Sequence, residues 1–159
     1  MIKGIYLLDS ISITQTECQT DLGLKNRAIP DAQLSASSQV DHYHAASQGR
    51  LEYEGEEWRS SAWSTLTNDK SQWLQIDLRS IYIKVTRVAT QGRTGWHMIW
   101  QWVTHYMLQF SDDGEYFTFF KELGKSAAKV AYMFCYGRVS GVFCYNDRYL
   151  DEQIAVLSI

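Results

Sequence analysis

Proline is almost missing from this chain, one in 159 residues, and cysteine is scarce, with three. So little proline, beside 14% aromatic residues, excludes a proline-rich linker and points to a β-rich globular domain with large rings to bury. Three thiols cannot all pair within one molecule, and Cys18, Cys135 and Cys144 offer no CxxC spacing of the kind zinc requires. No apolar run approaches the ~18 residues of a membrane-spanning helix. Net positive charge is absent too: a formal charge of −3 and a sequence pI near 5.8 provide no basic field for duplex nucleic acid, which is set aside as a partner. The chain also lacks a Gly-x-Ser-x-Gly elbow, a phosphate-cradling glycine loop and any Cys/His nucleophile pattern, so nothing in it supports an enzyme.

Alternation is what the middle of the chain does have. Leu74, Ile76 and Leu78 alternate with Gln75 and Asp77, the pattern of a half-buried strand. Ile81, Ile83 and Val85 repeat it, and a phase slip at Arg87-Val88 predicts a bulge or bend. Tyr106, Leu108 and Phe110 form a third apolar face, followed by the turn signal Asp112-Asp113-Gly114 and an aromatic strand from Tyr116 to Phe120, which predicts a hairpin. No segment keeps helical periodicity over three turns, and the breaker spacing predicts an all-β sandwich or barrel of one domain.

Eight short blocks occur in a fixed order: Cys18, Leu22-Gly23-Leu24, Ser35-Ala36-Ser37-Ser38, Arg50-Leu51, Trp73 to Leu78, Ala89-Thr90-Gln91-Gly92-Arg93, Trp102-Val103-Thr104 and Phe110 to Gly114. In order and spacing they resemble the discoidin domain, also called the coagulation factor V/VIII type C domain, over residues 18 to about 122. The resemblance implies a jelly-roll antiparallel β-barrel of the galactose-binding-like type. It implies an extracellular, non-catalytic adhesion module whose spike loops at one barrel end attach to a cell-surface glycan, a phospholipid headgroup or a matrix protein. It also makes Cys18 the first member of a disulfide, with Cys135 or Cys144 as the available partner if the tail returns to the start of the domain. An accessory domain of a larger secreted enzyme, or a truncated fragment, are the alternative readings.

Two loops fall where the family places spikes. Trp96, His97, Met98, Ile99 and Trp100 crowd apolar surface into one of them, and tryptophan suits a membrane interface because its ring is apolar while its N–H still reaches water. Asp41, His42, Tyr43 and His44 lie in the other; Tyr43 and His44 suit a sugar face and its hydroxyls. His42 and His44 would share a face if that loop were extended, but two histidines without a third ligand do not define a metal site. Glu52, Glu54, Glu56 and Glu57 leave calcium as the one cation the resemblance would admit, without EF-hand spacing, and the chain is read as needing no cofactor. The same carboxylates oppose an anionic membrane. Structural roles are expected for Cys18, Arg50, Trp73, Gln91, Trp102 (in the core), Asp113 and Gly114, and for Asp77 and Arg93 as a charge-assisted pair.

The ends are harder to place. Residues 1–17 read as a leader or linker: Asp9 interrupts the apolar run Gly4 to Leu8, short of the roughly 7–15 residues of a signal core. Residues 18–123 carry the discoidin-like domain, and from Gly124 to residue 159 no family block recurs. Ala127 to Phe134 and Val142 to Tyr145 have strand-forming composition, yet this tail reads either as a divergent ending, leaving the barrel incomplete, or as an artefact of the gene model.

Overall fold

The structure, a computed structural model, describes residues 5–9, 20–55, 58–79, 85, 87–93, 101–128, 130–132, 142–144 and 154–158. Among these are ten strands: β1 (Ile5–Asp9), β2 (Thr20–Asp21), β3 (Leu34–Ala36), β4 (Trp73–Asp77), β5 (Arg87–Thr90), β6 (His105–Ser111), β7 (Thr118–Phe119), β8 (Val130–Tyr132), β9 (Val142–Cys144) and β10 (Ile154–Ser158). They form two antiparallel sheets, one in the order β2-β1-β5-β9 and the other β3-β4-β10-β6-β7, with β8 also pairing β6. This is the all-β architecture the strand pattern predicts.

The alternation decides which faces go inside. Leu74, Ile76 and Leu78 are buried while Gln75 and Asp77 stay partly exposed, and Tyr106, Leu108 and Phe110 are buried from the same sheet. With Val88 of β5 from the other sheet, they pack into one core that also takes Leu24, Ile29, Leu34 and Trp63. Thr90 is fully buried and its hydroxyl donates to Tyr106 Oη at 3.2 Å, satisfying a polar group between the sheets. Residues 81–84 lie outside the described residues. Val85 and Val88, three residues apart, are both buried in the core, as the expected slip in alternation implies, and from Arg87 the ladder with β1 is unbroken, Leu8↔Arg87 to Ile5↔Thr90.

The predicted hairpin is present in shorter form. Gly114 takes φ 77°, a left-handed conformation, and β6 and β7 pair at Gln109↔Phe119 and Phe110↔Thr118 only. β8, β9 and β10 all come from the stretch after Gly124, and β1 from the stretch before Cys18. β10, which has no alternating pattern long enough to mark it in the sequence, lies in the middle of its sheet. It pairs over its full length with β4 on one side, Ile154↔Asp77 to Ser158↔Trp73, and with β6 on the other, Ile154↔Ser111 to Ser158↔Met107.

Before β4 the chain is mostly irregular and is held by one buried cation. Arg50 is 2% exposed. Its Nη1 donates to Leu24 O at 2.8 Å and its Nη2 to Ile29 O at 2.8 Å, while Nη2 and Nε both reach Asp31 Oδ1, at 2.6 and 3.1 Å. The Arg50 site ties the segment carrying the core residues Leu24 and Ile29 to the loop that leads to Leu51.

Two predictions follow from this packing. Replacing Arg50 with Met strands two buried carbonyls and is expected to cost about 2–5 kcal/mol in denaturant unfolding, with Arg50→Lys recovering only part because an ammonium lacks the planar fork; a loss under about 0.5 kcal/mol for Arg50→Met would refute the brace. Removing residues 124–159 takes out the strand between β4 and β6 and opens two edges. Cooperative thermal unfolding followed by near-ultraviolet circular dichroism should then be seen for the full chain and lost in the shortened one.

Candidate functional site

The site is built on irregular chain at one end of the strands. After the Ser37-Ser38 bend, residues 39–49 fold into two short 3-10 turns, His42–His44 and Ala46–Gly49. Asp41 starts the first: its Oδ1 accepts from the Tyr43 and His44 amides at 2.8 and 3.1 Å and pairs with His44 Nδ1 at 2.7 Å. The turn replaces the extended geometry in which His42 and His44 would share a face, and it spends His44 Nδ1 on Asp41. Among the described residues no three His, Cys, Asp or Glu side chains come together to hold a metal. The His42 and Tyr43 rings lie 3.8 Å apart, and Tyr43 is exposed.

A second loop is laced to the first through the backbone. The Ser60 amide donates to Tyr43 O at 2.9 Å, the Ser64 amide to His44 O at 3.2 Å, and the Val40 amide to Ser64 O at 2.9 Å. In this second loop Gly55 adopts φ 84°, and a Cβ there would run into the Arg59 carbonyl, so only glycine lets the chain fold back at that point. Trp58 stands 83% exposed between these two residues, two positions before the Ser60 amide that bonds to Tyr43 O. Trp58 was not singled out from sequence; its signal is a large ring in a loop rich in charge, a few residues past a glycine.

The third loop is anchored at its feet. Arg93 N donates to Gln101 O at 2.7 Å, and Arg93 Nη1 reaches Gln101 Oε1 at 3.2 Å. Between them, Trp96, His97, Met98, Ile99 and Trp100 lie outside the described residues. Gln91, buried just before, accepts from the Glu52 amide at 3.1 Å and so joins the second loop to the end of β5; Glu52 itself pairs with Lys25. Of the acidic run, Glu52 and Glu54 are exposed, and Glu56 and Glu57 lie outside the described residues.

The remaining expected residues are placed as follows. Trp73 on β4 is half-buried. Trp102, expected in the core, is 37% exposed; its neighbour Val103 takes the inward position instead, since side chains alternate along extended chain. Asp77 does not pair with Arg93: it binds Arg79 at 3.4 Å, two residues along the same strand end, and Arg93 turns to Gln101. Cys18 and Cys135 lie outside the described residues, and Cys144 stands opposite Arg87 at the edge of β5. Asp113 works as a turn acceptor, taking the Glu115 and Tyr116 amides at 2.8 and 2.9 Å and the Ser111 hydroxyl at 2.9 Å.

A family model for the F5/8 type C domain matches residues 33–135, more than half of the chain. The chain belongs to the F5/8 type C, or discoidin, family. Lactadherin of Rattus norvegicus is 37% identical over 115 residues, covering 69% of this chain and 26% of that protein, and coagulation factor VIII of Canis lupus familiaris is 33% identical over 127 residues, covering 78% and 5%. This discoidin domain therefore spans about a quarter or less of the length of these relatives. In fold it is similar to recombinant discoidin II of Dictyostelium discoideum, with a TM-score of 0.57 at 18% identity, over 79% of this chain and 48% of that one.

The electrostatics of the discoidin domain's loops are set by carboxylates that accept hydrogen bonds. The His44 side-chain bond holds Asp41 below the ordinary carboxylate value of 3.8, the Thr67 hydroxyl and then Gln72 do the same for Asp69, and the Tyr116 and Glu115 amides do so for Asp113. A lowered folded-state pKa stabilises the fold above the unfolded value, and that contribution fades as pH falls through the folded one. The share of stability that these three carboxylates contribute is thus expected to be full at neutral pH and to decline as acid protonates them. Asp113→Asn, whose partners include no histidine, should flatten part of that decline in melts recorded from neutral pH downward; an unchanged acid limb would remove Asp113 from the linkage.

Proposed function

We propose that this discoidin domain is a non-catalytic extracellular attachment module that docks on the lipid–water interface of a cell surface through the tips of its linked loops. The observation that carries the reading is Trp58, 83% exposed, on a loop whose backbone is hydrogen-bonded to the one bearing exposed Tyr43. Aromatic rings of this kind bury an apolar body while keeping a polar tip wet. A Trp or Tyr ring carries roughly 150–250 Å² of surface. At about 25 cal/mol per Å², even partial insertion of two supplies a few kcal/mol, enough for weak single-site attachment. Loops already fixed by backbone bonds lose little freedom on binding, which favours attachment over an equally apolar but floppy loop.

The charge balance selects the surface. With Glu52 and Glu54 exposed near the loops and a formal charge of −3 overall, a zwitterionic interface suits the domain better than a strongly anionic one. Attachment is read as direct, without calcium or another cofactor. The small share of lactadherin and factor VIII that the match covers supports a domain that serves a longer protein, with affinity multiplied where several such modules act together.

Cosedimentation with phosphatidylcholine vesicles, with and without phosphatidylserine, tests this. Tyr43→Ala combined with Trp58→Ala is expected to weaken binding at least about tenfold while the melting temperature hardly moves, because both rings are exposed. Binding should survive EDTA and should not strengthen with phosphatidylserine. Full retention of vesicle binding by the double variant would reject the loop tips as the attachment surface.

A further inference from the structure

β6 is flanked by β10 on one side. On its other flank lie β8, along His105 to Met107, and β7, along Gln109 and Phe110, and among the described residues no strand pairs with β7 beyond that. Apolar side chains collect along this edge: Tyr116 is 79% exposed, Leu123 72%, and Phe119 and Val130 are exposed as well. The far edge of the same sheet differs, since β3 buries Leu34 and shows Ser35 to solvent. A proline is one common guard against edge pairing, and the chain's single proline, Pro30, is not on β7.

The ladder decides which backbone groups look outward. The Phe120 amide donates to Leu108 O at 2.9 Å, and Thr118 stands opposite Phe110. In an antiparallel pair the bonded positions alternate, so Thr118 and Phe120 turn their groups to β6, while the N–H and C=O of Phe117, Phe119 and Lys121 point away from it. The side chains at those outward positions share the outer face of the sheet, because Leu108 and Phe110 turn inward and Phe119 lies opposite Gln109 between them. Carried back to the Asp113 turn, the same alternation adds Glu115. Glu115, Phe117, Phe119 and Lys121 then run acid, ring, ring, base, a row that complements itself when reversed.

From this we infer that the β7 edge pairs two copies of this chain, antiparallel about a two-fold axis at Thr118. Phe117 of each copy lies opposite Phe119 of the other, and Glu115 opposite Lys121. The register is the one that backbone chemistry allows: outward-pointing residues meet outward-pointing residues, whereas a slip of one residue would set them against groups already bonded to β6. Aromatic and opposite-charge pairs facing across strands both favour it. A second copy fits better than an unrelated strand because the acid and the base stand equally far from Thr118, so both ends of the contact are matched at once. Two-fold contacts close, and assembly stops at two. So short an edge buries less than the roughly 1,200 Å² of a stable interface, which sets the dissociation constant on the order of 100 µM. Tyr43 and Trp58 take no part. Nor does the uncharged cleft of about 510 Å³ that opens beside the loop end between residues 64–68 and Gln101, Trp102 and Thr104. The pairing therefore does not rest on the membrane reading.

Sedimentation equilibrium of the full chain over a concentration series tests it, with the mass expected to rise from one copy toward two and no further. Lys121→Glu and Glu115→Lys are changes at exposed positions, and near-ultraviolet circular dichroism should show both variants folded. Each sets like charges opposite one another twice, and is expected to weaken pairing about tenfold or more. An equimolar mixture of the two variants should pair again, to within about twofold of the parent affinity, because every Glu then faces a Lys. The combined variant Glu115→Lys, Lys121→Glu should recover in the same way, which neither a misfolded chain nor a contact elsewhere on the surface would do. A chain that stays single up to about 1 mM, leaving the edge to some other partner, would overturn the proposal. So would a mass that climbs beyond two copies, pairs that ignore both charge reversals, or a mixture that fails to pair.

Discussion

The buried guanidinium of Arg50 is the constraint on which the loop end depends. A charged group so deep in the protein is tolerated only when its donors are satisfied, and four of its five N–H groups are spent on Leu24 O, Ile29 O and Asp31. The bonds are strong because they are charge-assisted and because the surroundings exclude water. Their effect is topological: chain with no regular ladder of its own between residues 22 and 31 is fixed against the barrel, with Leu24 and Ile29 in the core. The two 3-10 turns end at Gly49 and the second loop starts past Leu51, so both loops leave from a point that cannot shift.

A second layer of polar bonds carries that rigidity outward. Ser37 and Ser38 converge on Gln72, Trp63 donates its indole N–H to Ser38 O at 2.8 Å from a fully buried position, and the Val40, Ser60 and Ser64 amides lace the loops together. Small hydroxyl residues serve here because a short side chain can bond backbone and amide groups where the chain bends away from a strand. The loops are therefore a polar truss standing on an apolar core, and exposed rings such as Trp58 can project from it without the surrounding chain collapsing onto them.

That arrangement lets one small domain present two different surfaces. The loop tips offer aromatic rings with carboxylates nearby, chemistry for a wet apolar interface of low net charge. The adjoining cleft is lined by hydroxyls, amides, Leu66 and the Trp102 ring, none of them charged.

Much of this domain was legible in its sequence, and the legible part is local. Leu74, Ile76 and Leu78, or Tyr106, Leu108 and Phe110, announce a strand and its inner face because the two-residue repeat is a property of extended chain itself, and Asp113-Gly114 announces a turn because few other residues accept its backbone. The order of short blocks was enough to identify the family. What the sequence could not decide were the contacts between distant segments. Trp58, Trp63 and Trp102 are equal in composition, yet one is exposed, one fully buried and one walls a cleft, according to where loops far apart in sequence meet. Asp77 and Arg93 are opposite charges in matching blocks, yet each finds a nearer partner. Ile154–Ser158 is an unremarkable run of five residues whose central position is set by two strands that each needed a neighbour. Periodicity fixes what a segment can be; only the closing of the sheets, and the polar groups that must then be satisfied, decides what it touches.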